Sequence, residues 1–189
     1  MDAYSHVRVL FSIIVALGIS QLLSGIARIV QHPKQYRVYW VHLTWVLYLF
    51  LYLIHFWWWE FRLSRIVQWT FELYVFVILY ATLLYLLCSL LIPARMTDYE
   101  SFQDYFYSRK GWIFSLVALL YLMDLGDSLV KGVQYFQALG FVYYFRTAAL
   151  FVLSLITTKV NHRKFQECLV IFALLCEAAF IVTAHLRFG

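Results

Sequence analysis

Six long, almost unbroken apolar runs divide the chain, and charged residues collect in the short stretches between them. The runs cover residues 9–29, 38–59, 66–92, 112–130, 135–158 and 165–186. A hydrocarbon layer about 30 Å thick is crossed by about 20 residues of α-helix, so each run is long enough for one crossing. A transmembrane strand would alternate apolar and polar residues over about ten positions, and none of the runs does so. The pattern predicts an all-α, polytopic integral membrane protein, a single transmembrane domain over residues 1–189 built as a six-helix bundle. Little chain remains for a domain outside the membrane. The first run exceeds the roughly 7–15 apolar residues of a signal peptide and ends at Arg28 without a small-residue cleavage site, so it reads as retained.

Only the third connection carries a helical pattern of its own. After Pro93, Thr97 and Glu100 have the spacing of a capping box, and Tyr99, Phe102, Tyr105 and Phe106 then recur on one helical face. The spacing predicts a short interfacial helix between helices 3 and 4, with its aromatics at headgroup level and Asp98, Glu100 and Asp104 in water.

Composition agrees: 64% of residues are hydrophobic and only 13% charged, against about 25% charged in soluble domains. The net charge of +5 resolves into topology. Nine Lys and Arg side chains lie in or beside loops 1, 3 and 5, from Arg28 to Lys164. Five lie on the other side, Arg8, Arg62, Arg65, Lys131 and Arg187. Loops 1, 3 and 5 are therefore expected in the cytoplasm and both termini outside it. Tryptophans mark the span ends, Trp40 and Trp112 on one side and Trp57, Trp58, Trp59 and Trp69 on the other, while Trp45 is deeper and expected between helices. The basic charge thus points to anionic lipid and not to nucleic acid.

Three ionisable residues change the picture, because Asp124, Arg146 and Glu177 each sit deep inside a separate apolar run. A charge at the bilayer centre costs about 2.5–3.5 kcal/mol on insertion scales and persists where it is paired, hydrated or in use. In a helical hairpin, residues symmetric about the turn share a depth. The midpoint of 124 and 146 is Tyr135, beside the turn at 131–134, and that of 146 and 177 falls in the turn at 159–164. All three are expected at one level, about 18 Å from the cytoplasmic helix ends at 1.5 Å per residue. Short loops make helices 4 and 5, and 5 and 6, antiparallel neighbours, which lets Arg146 reach Asp124 or Glu177. Asp127 adds a further acid one turn on. Three acids against one arginine leave about two negatives unpaired, so at least one is expected to hold a proton or a cation.

Other polar positions read as packing or as ordinary interior groups. On helix 1, Ser12, Ala16, Ser20 and Ser24 recur every fourth residue with Gly18 and Gly25 beside them, a pattern that admits a close helix neighbour, and Ser20 and Gln21 are candidates to line a cavity. Charges crowd the second half of the chain, so helices 4 to 6 are expected to carry the site and helices 1 to 3 to form a packing surface. His42 and His55 are thirteen apart on helix 2, the spacing of two haem ligands in b-type cytochromes, but no second helix supplies a matching pair. Cys88, Cys168 and Cys176 have no Cys-x-x-Cys spacing and read as small apolar residues. No catalytic motif, metal-ligand spacing or phosphate-binding glycine loop is present, so neither enzyme activity nor a cofactor is expected.

The function class that fits is translocation of protons or small cations, as a channel or transporter, by the protein alone or as an oligomer. A non-catalytic scaffold or accessory subunit that binds other membrane proteins is the second reading, and a b-type haem protein a distant third.

Overall fold

The computed structural model describes the backbone of residues 3–66 and 68–188 and the side chains of residues 4–66 and 68–183. Val67, in the third predicted span, and the side chains of His185 and Arg187 lie outside the described residues. The helices are α1 (Ala3–Gln31), α2 (Trp40–Trp59), a 3-10 helix (Glu60–Arg65), α3 (Phe71–Leu91), α4 (Phe102–Val130), α5 (Val133–Lys159) and α6 (Arg163–Phe188). No strand occurs among the described residues. Six of these helices are long and apolar enough to cross a membrane.

Helix α1 starts at Ala3, six residues before its expected run, and the starts of α3 and α4 differ from the sequence expectation because local capping decides them. Helix α3 starts at Phe71, where Thr70 accepts a hydrogen bond from the Leu73 N–H at 3.3 Å. The predicted interfacial helix is not a separate element. Ser101, and not Thr97, caps α4, accepting from the Asp104 N–H at 3.1 Å, and the helix then runs unbroken to Val130. Thr97 instead donates to the Asp98 side chain at 3.2 Å. The aromatic face points inward: Phe102, Tyr105 and Phe106 are buried, and all three ring faces or edges meet the His42 imidazole. Burial against α2 wins over a position at headgroup level.

Four helix pairs make most of the packing, α1 with α3, α2 with α6, α3 with α4 and α4 with α5. Helices α5 and α6, expected as close neighbours, touch less than α6 touches α2. The α1–α3 seam is closed by glycines: a Cβ on Gly18 would lie 3.2 Å from Cys88 Sγ, and one on Gly25 would overlap the Ile92 side chain. Ala16, Ser20 and Ser24 are exposed on another face of α1, and Ser12, half-buried, accepts from Trp57 Nε1 at 3.1 Å. Gly25→Ala is expected to lower stability by about 1–3 kcal/mol, because β-branched Ile92 cannot swing clear without moving α3. Unfolding in detergent measures it, and an unchanged midpoint would mean the seam is looser than described.

Helix ends buried at the loop 3 and loop 5 side are satisfied by side chains where water is excluded. The last carbonyls of α3 accept from Tyr105 Oη at Leu90, from His42 Nε2 at Leu91 (2.7 Å) and from Gln21 Nε2 at Ile92 (3.3 Å). Arg28 continues the series on Ala94 and Pro93. Lys110 does the same for α5, donating to the carbonyls of Thr157, Thr158 and Val160 at 2.8, 3.2 and 3.0 Å.

Helix α5 is broken at Gly140, whose φ of 74° and ψ of 177° lie where only glycine is comfortable. The Phe136 carbonyl, one turn before the break, accepts from Tyr144 Oη, one turn after it, at 2.6 Å. Ser128, three residues before Lys131, pairs with Tyr143, eleven residues after Gly132. An unbroken hairpin would pair it near residue 135. Residues 133–139 therefore do not run alongside α4 in register, and the segment closes over one end of the bundle.

Candidate functional site

A narrow internal cavity lies beneath that segment, between α2, α3, α4, α5 and α6 at the end formed by the 3-10 helix and the α4–α5 turn. Its free volume is about 20 Å³, room for about one water molecule and no organic ligand. Two charged clusters reach its wall, one through Asp124 and Arg146 and the other through Glu60 and Asp127.

The inner cluster is built on Arg146, which is buried on α5. Its NH1 donates to Glu177 Oε2 at 3.1 Å, and its NH2 lies 3.8 Å from Asp124 Oδ2. The Phe180 ring covers the guanidinium at 4.0 Å, a cation–π contact that holds the plane toward the acids. Glu177 is also held from the other side, where His55 Nδ1 donates to Oε1 at 2.8 Å. Asp124 is the least enclosed member, with 19% of its side chain exposed. Hydroxyls replace charge around it: Tyr143 donates to Oδ2 at 2.8 Å, while Tyr52 and Tyr80 approach Oδ1 at 3.3 and 3.5 Å. Tyr52 and Tyr80 also bond each other at 2.7 Å, and Ser128 bonds Tyr143 at 2.9 Å. A hydroxyl both donates and accepts, so these groups form a hydrogen-bonded chain that ends on a carboxylate.

The outer cluster consists of Glu60, Asp127 and Lys131. Lys131, in the α4–α5 turn, donates to Glu60 Oε1 at 2.6 Å and to Asp127 Oδ2 one helical turn back. All three side chains are almost wholly enclosed, 5% exposed at most. Trp59 donates to Tyr135 Oη above them, and the Arg62 guanidinium lies 4.9 Å from the Tyr135 ring centre.

The structure thus brings Asp124, Arg146 and Glu177 together, while Asp127 turns away from Arg146 to its own lysine. The predicted cavity residues stand elsewhere. Ser20 is exposed, and Gln21 caps α3 at the opposite end. Glu60, Lys131 and His55 enter the site from positions the sequence leaves at helix ends, and α2 and α3 supply part of its wall, so the expected division between the two halves of the chain does not hold. Both helix 2 histidines are engaged within the protein, His42 on the Leu91 carbonyl and His55 on Glu177. No group of three His, Cys, Asp or Glu side chains converges as a metal site among the described residues.

Toward the other end the interior is aromatic. Tyr48 and Tyr121 bond each other at 2.7 Å next to the inner cluster, and beyond them Trp45, Phe114 and Phe106 pack ring against ring at 5.1 and 6.0 Å. Polar groups thus line the end beside the 3-10 helix, and aromatic rings fill the other.

No protein-family model, curated protein or solved structure matches this chain.

Proposed function

We propose that the protein carries protons across a membrane through the Asp124–Arg146–Glu177 cluster, as a channel or transporter closed on one side in this conformation. One observation carries the reading. Four carboxyls, Glu60, Asp124, Asp127 and Glu177, share two permanent cations and one histidine around a cavity with room for about one water. Such a wall is short of positive charge, and the hydroxyls that lead to Asp124 can pass a proton along their hydrogen bonds. Four buried atoms of that wall, Glu60 Oε2, Asp127 Oδ1, Arg146 Nε and His55 Nε2, have no protein partner, the kind of atom that ordered water satisfies. The break in α5 supports the reading too, since irregular backbone at membrane depth is tolerated where it lines a cavity. By the balance of Lys and Arg, loops 1, 3 and 5 face the cytoplasm and both termini the opposite side, so the cavity lies toward the non-cytoplasmic face.

Asp124 is the residue expected to load and release the proton. It is the most accessible acid of the inner cluster and has the longest ion pair, whereas Glu177 is gripped by both Arg146 and His55. Purified protein in liposomes is expected to dissipate an imposed pH gradient, and Asp124→Asn, folded to the same unfolding midpoint, to lose that flux by about tenfold or more. Wild type that leaves the pH gradient intact would overturn the reading, whether or not it conducts sodium or potassium. The cluster would then serve as a lock between helices in a scaffold, and co-purifying membrane proteins would be the next question.

A further inference from the structure

The outer cluster has a feature the inner one lacks. Its two acids lean on a single ammonium, each through one oxygen, and their second oxygens, Glu60 Oε2 and Asp127 Oδ1, are buried with no donor. Both residues are enclosed, at 1% and 3% exposure, and both line the cavity. Two carboxylates on one ammonium leave one negative charge uncompensated where water is nearly excluded, and two lone acceptors have nothing to accept.

Among the described residues, the surrounding groups do not supply the missing charge. From α1, Tyr4 donates its hydroxyl to the Glu60 backbone carbonyl at 3.4 Å. From α4, Asp124 adds a further negative charge one turn away, and Tyr80 of α3 is committed to Tyr52 and Asp124. From α2, His55 is committed to Glu177, as is Arg146 of α5, and Tyr135 receives the Trp59 N–H. Arg62, from the 3-10 helix, stacks on the rings of Trp59 and Tyr135.

We infer that Glu60 and Asp127 hold one exchangeable proton between them beside the Lys131 ammonium, a second protonation site at the mouth of the cavity. The step is proton binding alone: a proton arriving through water adds to an oxygen of one carboxylate, and the new hydroxyl is available to its neighbour. Charge in the cluster falls to zero and both lone acceptors are accounted for. If protons cross through the inner cluster, this pair is where they arrive before Asp124; the pair itself does not depend on that reading.

Infrared spectroscopy of the purified full chain at neutral pH tests it, through the C=O stretch of a protonated carboxyl and its shift in deuterium oxide. Wild type is expected to show the band, Asp124→Asn to retain it, and Glu60→Gln or Asp127→Asn to lose it, because the remaining acid is then matched one to one by Lys131. No band in wild type, or a band that survives both dyad variants, would overturn the inference. The amide is the neutral isostere of a protonated acid, so failure of both variants to fold would mean both acids are ionised and would overturn it equally; where one fails to fold, its counterpart decides. The band without proton flux would leave the dyad standing and remove transport. Flux without the band would do the reverse.

Discussion

Arg146→Met is expected to be the most damaging single substitution in the molecule, lowering stability by about 3–5 kcal/mol, because it leaves Asp124 without a cation and Glu177 with His55 in place of two partners. Arg146 is 5% exposed and is the only cation within ion-pair distance of Asp124 among the described residues. Methionine fills much of the volume under Phe180, so the loss is mainly electrostatic. Glu177 would keep His55, but Asp124 would keep only hydroxyls. A partner deletion separates this cost from the value of the pair. Arg146→Met combined with Glu177→Gln is expected to recover part of the loss, since removing both members of a buried pair is far cheaper than removing one. The coupling between the two sites should reach about 1–3 kcal/mol in a double-mutant cycle of unfolding in detergent. Additive effects, or a single variant within about 1 kcal/mol of wild type, would mean that the charges are hydrated or otherwise compensated.

The same arginine shows why part of this site is legible in the sequence and part is not. A charge in the middle of an apolar run must be paired, hydrated or in use, and hairpin symmetry then sets its depth, so Asp124, Arg146 and Glu177 group together without any helix boundary being known. Glu60 and Lys131 sit at the edges of their runs, where a charge ordinarily reaches water, and nothing local distinguishes an edge that closes from one that opens. Two signals are nevertheless present. Asp127 and Lys131 have the i, i+4 spacing of a helical ion pair. Tyr48, Tyr52, His55 and Trp59 recur at helical spacing on α2, a stripe of apolar bodies with polar tips that faces the site. The six helices are legible because an apolar run of twenty residues or more has one stable form in lipid, the α-helix that satisfies its own backbone. The interfacial helix fails because the aromatic face at 102–106 fits a lipid surface and a protein core equally well, and only the position of His42 on α2 decides between them. The break in α5 leaves no trace in the sequence beyond one glycine.

That glycine carries the second large effect. Gly140→Ala is expected to cost about 1–3 kcal/mol and to cut proton flux by about tenfold or more, because the backbone at φ 74°, ψ 177° is essentially closed to a side chain. Crowding is not the cause, since a Cβ there would meet nothing within 4 Å. The chain escapes the strain by taking helical angles, and the consequences follow along α5. Tyr144 would turn away from the Phe136 carbonyl, residues 133–139 would straighten, and Tyr135 would leave its place over the outer cluster. Tyr143, three residues past the break, would lose register with Ser128 and Asp124. Gly111→Ala provides the control: it too has open space, but its backbone is helical, so it should be neutral or gain up to about 1 kcal/mol. Unfolding midpoints and liposome flux for the two variants, measured side by side, separate loss of a glycine from loss of the break. If Gly140→Ala matched Gly111→Ala in both, the bend in α5 would be incidental to the site, and contacts such as those of Trp59 and Arg62 with Tyr135 would hold the segment over the cavity without it.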